Sequence, residues 1–337
     1  MKLKNPIPIN NISHHLLIEK NISLNILRLD RTDPLISGNK WFKLKYNLIE
    51  AKQQGCKTLL SFGGPFSNHI HALAAAGKRQ HLNTIGIIRG EEYLPLNQTL
   101  FDAIDNGMKL YYIDRKTYRK KHLPEVIKHL LSTIITDQPF TNASAKEDIY
   151  IVPEGGTNKL AIKGAAEIIQ LISNDTDFIC VPCGTGGTIA GVISGLEKSK
   201  KHHATVYGFP ALKGAEFLQK DILALLDNHT INTSWQLFYD YHFGGFGKIN
   251  KQLALFLEDF EQTHHIELDP IYTSKMLYAI MDLIKRDFFP KGSKITAIHT
   301  GGLQGKRGMQ QKIQTLIHKP IKNTNKKLTG NTKYGTH

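Results

Sequence analysis

The feature that most constrains the fold of this chain is an alternation of short apolar, β-rich runs with segments of helical periodicity, from about residue 55 onward. Several runs, such as residues 57–62 and 84–89, are nearly continuous in apolar residues and do not alternate with polar ones. Such runs are typical of strands in a parallel sheet that helices cover on both faces. The sequence therefore predicts an α/β fold built from parallel βαβ units.

The other segments of this pattern follow the same order along the chain. Further strands are predicted at residues 109–113, 148–152, 177–181, 204–209, 236–239 and 294–299. Helices are predicted at residues 68–79, 98–106, 158–172, 188–198, 213–226, 249–264 and 273–286. Residues 23–30 are predicted to form one more strand, for which an antiparallel arrangement is left open. Residues 136–148 lack an apolar pattern and are predicted to be a loop between domains.

Composition narrows the class of protein. The 337 residues, 41% of them hydrophobic, suffice for two modest domains or one large α/β unit. No run approaches the roughly 18 apolar residues that a membrane-spanning helix needs, and the N-terminus lacks the features of a secretory signal. Only Cys56, Cys180 and Cys183 are present, so we expect no disulfide framework and interpret the Cys180/Cys183 pair as structural thiols. We predict a cytoplasmic protein with no membrane partner and no metal site.

The formal net charge of +14 raises the question of nucleic-acid binding. The basic excess lies in residues 115–121, in residues 198–203 and in the tail from Lys319 onward, which carries five Lys and no acidic residue. None of these runs is interleaved with stacking aromatics as in a recognisable nucleic-acid-binding module. We therefore predict no nucleic-acid partner, and we interpret residues 319–337 as a basic, flexible tail.

Residues 31–46 contain the first candidate for chemistry. Gly38 and Asn39 form a turn pair before a helix-compatible run in which Lys40 and Lys43 are three residues apart, so that both share one helix face. Two neighbouring ammonium groups repel each other, which lowers the pKa of at least one, and a neutral amine is what imine chemistry requires. An amphipathic helix with surface lysines would show the same spacing, so this segment alone leaves both interpretations open.

A second candidate follows the predicted strand at residues 57–62. Gly63 and Gly64 precede Ser67, Asn68 and His69, which open the next predicted helix. Ser67 or Asn68 fits an N-cap, and the free N–H groups at that helix end could also bind a carboxylate. A plain capped turn explains Ser and Asn equally well. Two glycines, an Asn and a His together at the carboxyl end of a parallel strand favour a ligand site.

The third candidate is the turn Gly184-Thr185-Gly186-Gly187-Thr188 after the predicted strand at residues 177–181. Glycines let backbone amides approach an anion, Thr hydroxyls add donors, and the following helix presents its positive end. The turn lacks the G-K-[ST] ending of a Walker loop and the spacing of a dinucleotide-binding loop. It indicates a phosphate site, and a glycine turn required only for tight packing is the alternative.

The last candidates lie near the C-terminus. Tyr272 precedes a predicted helix and could donate or accept a proton, and the predicted strand at residues 294–299 ends in Thr300-Gly301-Gly302. Each signal is weak by itself, because a Tyr before a helix is usually a packing residue. His299 is interpreted as a buried histidine with satisfied hydrogen bonds and not as a base.

Taken together, these segments resemble the pyridoxal-phosphate (PLP) enzymes of fold type II, and more narrowly the 1-aminocyclopropane-1-carboxylate (ACC) deaminase/D-cysteine desulfhydrase family. Five blocks carry the resemblance in order over roughly residues 25–310. They are G-N-K-x-x-K-L at residues 38–44, a loosely matched S-x-G-x-x-S-N-[HQ] block at 61–69, the glycine-threonine loop at 184–188, D-P-x-Y-x-x-K at 269–275 and H-x-G-G at 299–302.

The resemblance implies that the cofactor is pyridoxal 5′-phosphate, held as an imine on Lys40. Lys43 and the backbone of the turn at residues 184–188 would hold its phosphate. Asn68 would hydrogen-bond the 3′-oxygen of the pyridine ring, and Thr300 would meet the ring nitrogen.

The resemblance also assigns the substrate side of the site. Ser67, Asn68 and His69 would bind the substrate, with Ser67 and His69 contacting its carboxylate. Tyr272 would lie beside the ring, contact the substrate and act as a second acid or base, while Lys40, once released, would move the α-proton. Ser67 is also expected to be catalytic.

Two positions separate the subfamilies. The deaminase has Glu and Leu where this chain has Thr273 and Thr300, the desulfhydrase-like pattern. A Glu near the ring nitrogen would stabilise its protonated form and strengthen the electron sink, which opening of a cyclopropane ring should need more than loss of a thiolate. Phe246 stands where the family usually has Tyr, and Ser37 where Gly is common; both leave the exact substrate open.

The expected architecture is α/β with two domains, each an open, mostly parallel twisted sheet covered by helices, with PLP in the cleft between them. Residues 1–50 and 152–318 would form the larger, PLP-binding domain and residues 51–151 the smaller one. A homodimer is implied by the family resemblance alone.

The expected activity is a PLP-dependent lyase or deaminase reaction on a small amino acid. The specific prediction is α,β-elimination from D-cysteine to pyruvate, ammonia and sulfide. ACC deamination, or deamination or racemisation of another amino acid, is the alternative. A catalytically inactive PLP-binding regulatory protein is the alternative of another class.

Overall fold

The computed structural model describes residues 3, 5–137, 148–199, 203–227 and 231–318, so the predicted tail at 319–337 lies outside it. The strands in the described part of the chain form two sheets, of order β1-β2-β10-β7-β8-β9 and β5-β4-β3-β6. The strands are β1 Ile9–Ile12, β2 Ser23–Arg28, β3 Thr58–Gly63, β4 Asn83–Arg89, β5 Met108–Ile113, β6 Ile149–Val152, β7 Phe178–Cys183, β8 Thr205–Pro210, β9 Trp235–Leu237 and β10 Lys294–His299.

Helices connect these strands and cover the sheets. They are α1 His15–Lys20, α2 Asn39–Gln53, α3 Asn68–Gln80, α4 Gln98–Asp105, α5 Arg115–Arg119, α6 Pro124–Asp137, α7 Lys159–Ala166, α8 Gly187–Lys198, α9 Phe217–Leu225, α10 Lys251–His264, α11 Thr273–Lys285, α12 Gln304–Arg307 and α13 Gln310–His318. Short 3-10 turns lie at Leu29–Arg31, Glu154–Gly156, Glu167–Leu171 and Asp240–His242.

The strand pairs of the two sheets are parallel, apart from β1 with β2. This confirms the predicted α/β class with mostly parallel sheets. The strand predicted at residues 23–30 is β2, which runs parallel to β10. Its antiparallel neighbour β1 was not predicted, because the sequence INNI is exposed at three of its four residues and carries no apolar run. An edge strand of this kind gives little hydrophobic signal.

Several helices also differ from the prediction. The helix expected at residues 158–172 is α-helical only to Ala166 and ends in a 3-10 turn. The sequence analysis did not identify α6, although its apolar residues recur with helical periodicity. Nor did it identify the short helices α1, α5, α12 and α13. The loop expected at residues 136–148 lies largely outside the described residues.

The core includes residues from both sheets. One apolar cluster joins the two sheets, with Leu27 of β2, Leu59 of β3 and Val181 of β7 among its buried members. Helix α2 packs closely on α7, since a Cβ on Gly164 would lie 1.9 Å from the carbonyl oxygen of Phe42. The four-stranded sheet holds β3 to β6 and the six-stranded sheet the other strands. The domain boundaries at residues 51 and 152 stay a prediction.

The cysteines are free and buried, and burial raises the pKa of the Cys180 and Cys183 thiols. This environment favours their interpretation as structural residues. Among the described residues, no cluster of three or more His, Cys, Asp or Glu side chains is arranged to hold a metal ion. In the same part of the chain, every helix is too short or too polar to cross a bilayer.

Candidate active site

The site is organised around the start of α2. Gly38, the residue before the helix, has φ 72° and ψ −150°, a backbone region that is essentially reserved for glycine. A Cβ there would lie 1.9 Å from the carbonyl oxygen of Thr300. The next backbone N–H, of Asn39, donates to that same carbonyl at 3.1 Å. The first turn of α2, which carries Lys40, is thereby fixed against the carboxyl end of β10.

Lys40 and Lys43 are both shielded from solvent. Lys43 is 1% exposed, and Lys40 is partly buried. Burial lowers the pKa of Lys40 to about 8, although the Asp269 carboxylate raises it. Burial and the nearby Lys40 ammonium hold the pKa of Lys43 well below its usual value. The repulsion expected from the sequence is therefore present at Lys43, but loss of solvation is the larger cause of its lowered pKa.

Lys43 reaches the predicted phosphate turn. Its Nζ donates to Thr157 Oγ1 at 2.7 Å, and Thr157 Oγ1 lies 2.5 Å from Thr185 Oγ1. On the other side of the turn, Asn39 Nδ2 donates to Thr188 Oγ1 at 2.7 Å. The start of α2 and the turn at residues 184–188 therefore share one site.

The turn leads directly into α8, whose first backbone N–H groups have no partner within the helix. A Cβ on Gly187 would lie 2.9 Å from Lys43 Nζ and 3.0 Å from Thr157 Oγ1, so only glycine keeps this space open. Backbone N–H groups, hydroxyls and one amine form the donor set expected for a phosphate monoester. With the Lys40 amine on the same helix, these residues fit the phosphorylated aldehyde that the resemblance implies.

The second predicted block lies at the start of α3. Ser67 is the N-cap of this helix, and its Oγ accepts the N–H of Ile70 at 3.3 Å. Asn68 Oδ1 accepts a hydrogen bond from Gln304 Nε2. Asn68 Nδ2 faces the position where Gly302 would carry a Cβ, 2.5 Å away. Asn68 thus lies beside the turn that follows β10, with its amide nitrogen as a donor.

His69 has a defined protonation pattern. Ser61 Oγ donates to the carbonyl oxygen of Val152 at 2.7 Å, so it accepts from His69 Nε2 at 2.8 Å. The opposite nitrogen, Nδ1, is buried without a hydrogen-bond partner in the described structure. Burial, followed by the charges of Lys40 and Lys43, holds the pKa of His69 well below its usual value. A neutral ring whose free nitrogen only accepts suits a donor group, so the expected contact with a carboxylate would require His69 to be protonated.

Tyr272 borders the same region. Its ring lies against Gly184, with the hydroxyl oxygen 3.2 Å from the position of a Cβ there. Asp269 fixes its backbone: Oδ1 accepts the N–H groups of Ile271 and Tyr272, and Oδ2 accepts that of Thr273. Burial, together with the Asp269 charge, raises the pKa of Tyr272, so its phenol stays protonated.

His299 is not available for catalysis. It is fully buried; its Nε2 donates to the carbonyl of Glu267 at 2.8 Å, and its Nδ1 accepts the N–H of Gly301 at 3.2 Å. Both ring nitrogens are satisfied, which agrees with its interpretation as a structural histidine.

Four residues that shape the site were given no role from the sequence: Asn39, Ser61, Thr157 and Asp269. Thr157 could have been found, because it follows Gly155 and Gly156 after a predicted strand, the pattern that identified the other two turns. Asn39, Ser61 and Asp269 belong to the motif blocks, but the blocks do not show which groups these side chains contact.

Comparison with known proteins gives four matches of the same kind. The family model described as pyridoxal-phosphate dependent enzyme matches residues 7–301. A Pyrococcus abyssi protein, provisionally named 1-aminocyclopropane-1-carboxylate deaminase, is 30% identical over 85% of this chain and 86% of its own length. The Arabidopsis thaliana bifunctional D-cysteine desulfhydrase/1-aminocyclopropane-1-carboxylate deaminase, mitochondrial, is 29% identical over 83% of this chain and 72% of its own length. A crystal structure of an ACC deaminase homologue superimposes with a TM-score of 0.78 and 27% identity, covering 93% of this chain and 94% of the other.

Proposed function

Because the chain belongs to the pyridoxal-phosphate-dependent enzymes of the ACC deaminase/D-cysteine desulfhydrase family, we propose that it catalyses α,β-elimination from D-cysteine. The balanced reaction is D-cysteine plus water giving pyruvate, ammonia and hydrogen sulfide. The observation that carries the proposal is that α2, the helix of Lys40, brings Asn39 and Lys43 to the turn at residues 184–188. This arrangement places a nucleophilic amine and an anion site on the first turns of one helix.

PLP, the cofactor of the family, supplies the electron sink for the electrons released at the substrate Cα. Lys43, Thr157, Thr185 and the first N–H groups of α8 would hold its phosphate. The donor Asn68 Nδ2, oriented by Gln304, would meet the ring oxygen. These contacts would fix the orientation of the cofactor in the site, which is how a protein directs the reactivity of a bound cofactor.

Lys40 would accept the proton from the substrate Cα. Burial lowers its pKa to about 8, so an appreciable fraction of the amine is neutral near neutral pH. A base whose pKa is close to the working pH is the most effective proton acceptor, and a positioned base contributes about 10²–10⁴-fold to the rate. Asp269 opposes the effect of burial, because its carboxylate raises the pKa of the amine.

Tyr272 would donate a hydrogen bond to the leaving sulfur. Its raised pKa keeps the phenol protonated, so the hydroxyl is a hydrogen-bond donor at neutral pH. Ser67 would bind the substrate carboxylate at the start of α3, where the helix dipole favours a negative charge.

Thr273 and Thr300 favour D-cysteine over ACC. Thr300 lies at the end of β10 beside the first turn of α2, and Thr273 is fully buried, with no hydrogen-bond partner for its hydroxyl in the described residues. A Glu at position 273 would bury a carboxylate without a positive partner already in place. A hydroxyl near the ring nitrogen leaves that nitrogen largely neutral, which is sufficient for loss of a thiolate. ACC deamination is the second candidate, since relatives carry both names.

Product analysis tests the proposal. The purified, cofactor-loaded protein is incubated separately with D-cysteine, L-cysteine and ACC, and pyruvate, sulfide and 2-oxobutanoate are measured. We expect pyruvate and sulfide in equal amounts, with kcat/KM highest for D-cysteine. A higher kcat/KM for ACC, with 2-oxobutanoate as product, would assign the chain to the deaminases. Cofactor binding without release of any product would identify a PLP-binding protein without turnover.

A further inference from the structure

Lys275, in the first turn of α11, has an environment that the proposed function does not explain. The side chain is 2% exposed, although it carries a potential positive charge. Its Nζ donates to the carbonyl oxygens of His242 and Gly245, each at 2.8 Å, and lies 3.4 Å from that of Ala211. Three donors therefore meet three backbone acceptors from two different loops.

This arrangement compensates for the burial of the amine. An ammonium group without partners is strongly disfavoured inside a protein, whereas one with all its donors used is tolerated. Burial lowers the pKa of Lys275 to about 8, and the Asp269 carboxylate raises it. The carboxylate that raises the pKa of Lys275 is thus the one that accepts the backbone N–H of Tyr272.

The loop that Lys275 holds would be flexible by its sequence. Residues 242–247 contain Gly244, Gly245 and Gly247, all at positive φ, and glycines lose the most conformational entropy on ordering. Phe246 lies between them, 48% exposed, with its ring centroid 5.9 Å from that of Tyr272 and an angle of 65° between the rings. The edge of the site beside Tyr272 is therefore formed by an aromatic side chain on a glycine-rich loop. Hydrogen bonds within the loop are all local, and Lys275 ties the loop to α11.

We propose that Lys275 is a positioning residue that holds Phe246 against Tyr272, and that Phe246 limits the size of the side chain that the site accepts. The inference rests on the proposed function, because it concerns the substrate side of the same site. It assigns a role to a residue that contacts neither the phosphate turn nor the Lys40 amine in the hydrogen bonds of the structure.

The first measurement is hydrogen–deuterium exchange of residues 242–247 in the holoenzyme. Lys275→Met keeps the apolar stem of the side chain and removes its three donors. We expect exchange in this loop to be about tenfold faster or more, as follows from losing hydrogen bonds to a charged donor. Lys285→Met, at the exposed C-terminal end of the same helix, is the matched control and should leave exchange unchanged.

The second measurement is the ratio of dissociation constants for D-norvaline and D-alanine, obtained from changes in the visible absorption of the bound cofactor. Neither amino acid has a β leaving group, so the measurement does not depend on elimination. Phe246→Ala should improve binding of D-norvaline relative to D-alanine by about tenfold, a typical value for a change of one or two methylene groups. Lys275→Met should produce a similar change, and the double variant should show no further gain.

An unchanged exchange rate in Lys275→Met would overturn the inference, and so would a Phe246→Ala variant with the wild-type ratio. Additive effects of the two substitutions would also contradict it, since they would act independently. Failure of the proposed function has a different signature, namely the absence of pyruvate release from D-cysteine while the loop still responds to Lys275→Met.

Discussion

At the scale of single residues, the chemistry of the site depends on how much water each amine loses. Lys40 and Lys43 lie on one face of α2, yet their pKa values fall mainly because both are buried. Asp269 moderates this effect at Lys40, and Lys43 is hydrogen-bonded to Thr157. The proposed function therefore gives the two lysines separate tasks: the Lys40 amine would take part in covalent chemistry, and the Lys43 amine would hold the phosphate.

Lys40→Ala should abolish the visible absorption of the lysine-bound cofactor and lower kcat at least about 10²-fold, because both the covalent attachment and the proton acceptor are removed. Absorption spectra and pyruvate release measure the two effects. Lys52→Ala, an exposed position near the end of the same helix, is the control and should change neither. If Lys40→Ala retains both the absorption band and activity, another lysine carries the cofactor.

At the scale of secondary structure, the site is an assembly of helix starts. Helices α2, α3 and α8 all begin beside it, and the turns before α3 and α8 follow the carboxyl ends of β3 and β7. This edge collects free N–H groups and positive helix ends. Gly38 allows the start of α2 to lie against the turn after β10, so one backbone position controls where the Lys40 amine is placed.

Gly38→Ala should lower the free energy of unfolding by roughly 2–5 kcal/mol, because the new Cβ adds backbone strain and a clash with the Thr300 carbonyl. Affinity for PLP should fall with it. Gly55→Ala is a matched control: Gly55 has nearly the same φ, 73°, but nothing lies within 4 Å of a Cβ there. This control should cost only about 1 kcal/mol. Equal losses in denaturant unfolding of the two variants would show that contact with the turn at residues 300–302 does not matter.

At the scale of the whole molecule, polar contacts supplement the apolar cluster that joins the two sheets. Asp33, which precedes α2, accepts two hydrogen bonds from Arg79 of α3, at 2.6 and 3.0 Å. Burial raises the pKa of Asp33, but Arg79 and the backbone N–H groups of Ile36 and Leu35 outweigh burial and lower it overall. The buried Asp33 carboxylate therefore joins the segment between β2, a strand of the six-stranded sheet, and α2 to α3. Helix α3 connects β3 and β4 of the four-stranded sheet.

Asp33→Asn should lower the free energy of unfolding at neutral pH by about 1–2 kcal/mol, because Arg79 loses its charged partner. Since the pKa of Asp33 is lower in the folded state, its contribution is fully present above the unfolded value of 3.8 and is lost as pH falls through the folded value. The difference between wild type and variant should therefore shrink below about pH 4. Denaturant unfolding at several pH values measures it.

Asp105→Asn, at the exposed end of α4, serves as the control for this series and should remain close to wild type throughout. A difference between wild type and Asp33→Asn that persists at low pH would contradict the assigned role of the Asp33 charge.

Much of the fold could be predicted because its signals are local. Continuous apolar runs identified strands β3 to β10 to within a few residues, and glycine turns after strands identified two sides of the site. Strand β1 and helices α1, α5, α12 and α13 were missed, since they are short and carry few buried residues. Helix α6 had a detectable pattern and was overlooked.

The sequence by itself determined the α/β class, the family and the order of the blocks that meet at the site, because periodicity, turn chemistry and motif spacing are properties of neighbouring residues. Only the tertiary structure decided which partner each polar group has. Lys43 meets Thr157, His69 meets Ser61, and Lys275 meets the loop of Phe246. Most of these contacts join residues far apart in the chain, and each depends on burial and side-chain direction, which are fixed only once the sheets and helices have packed.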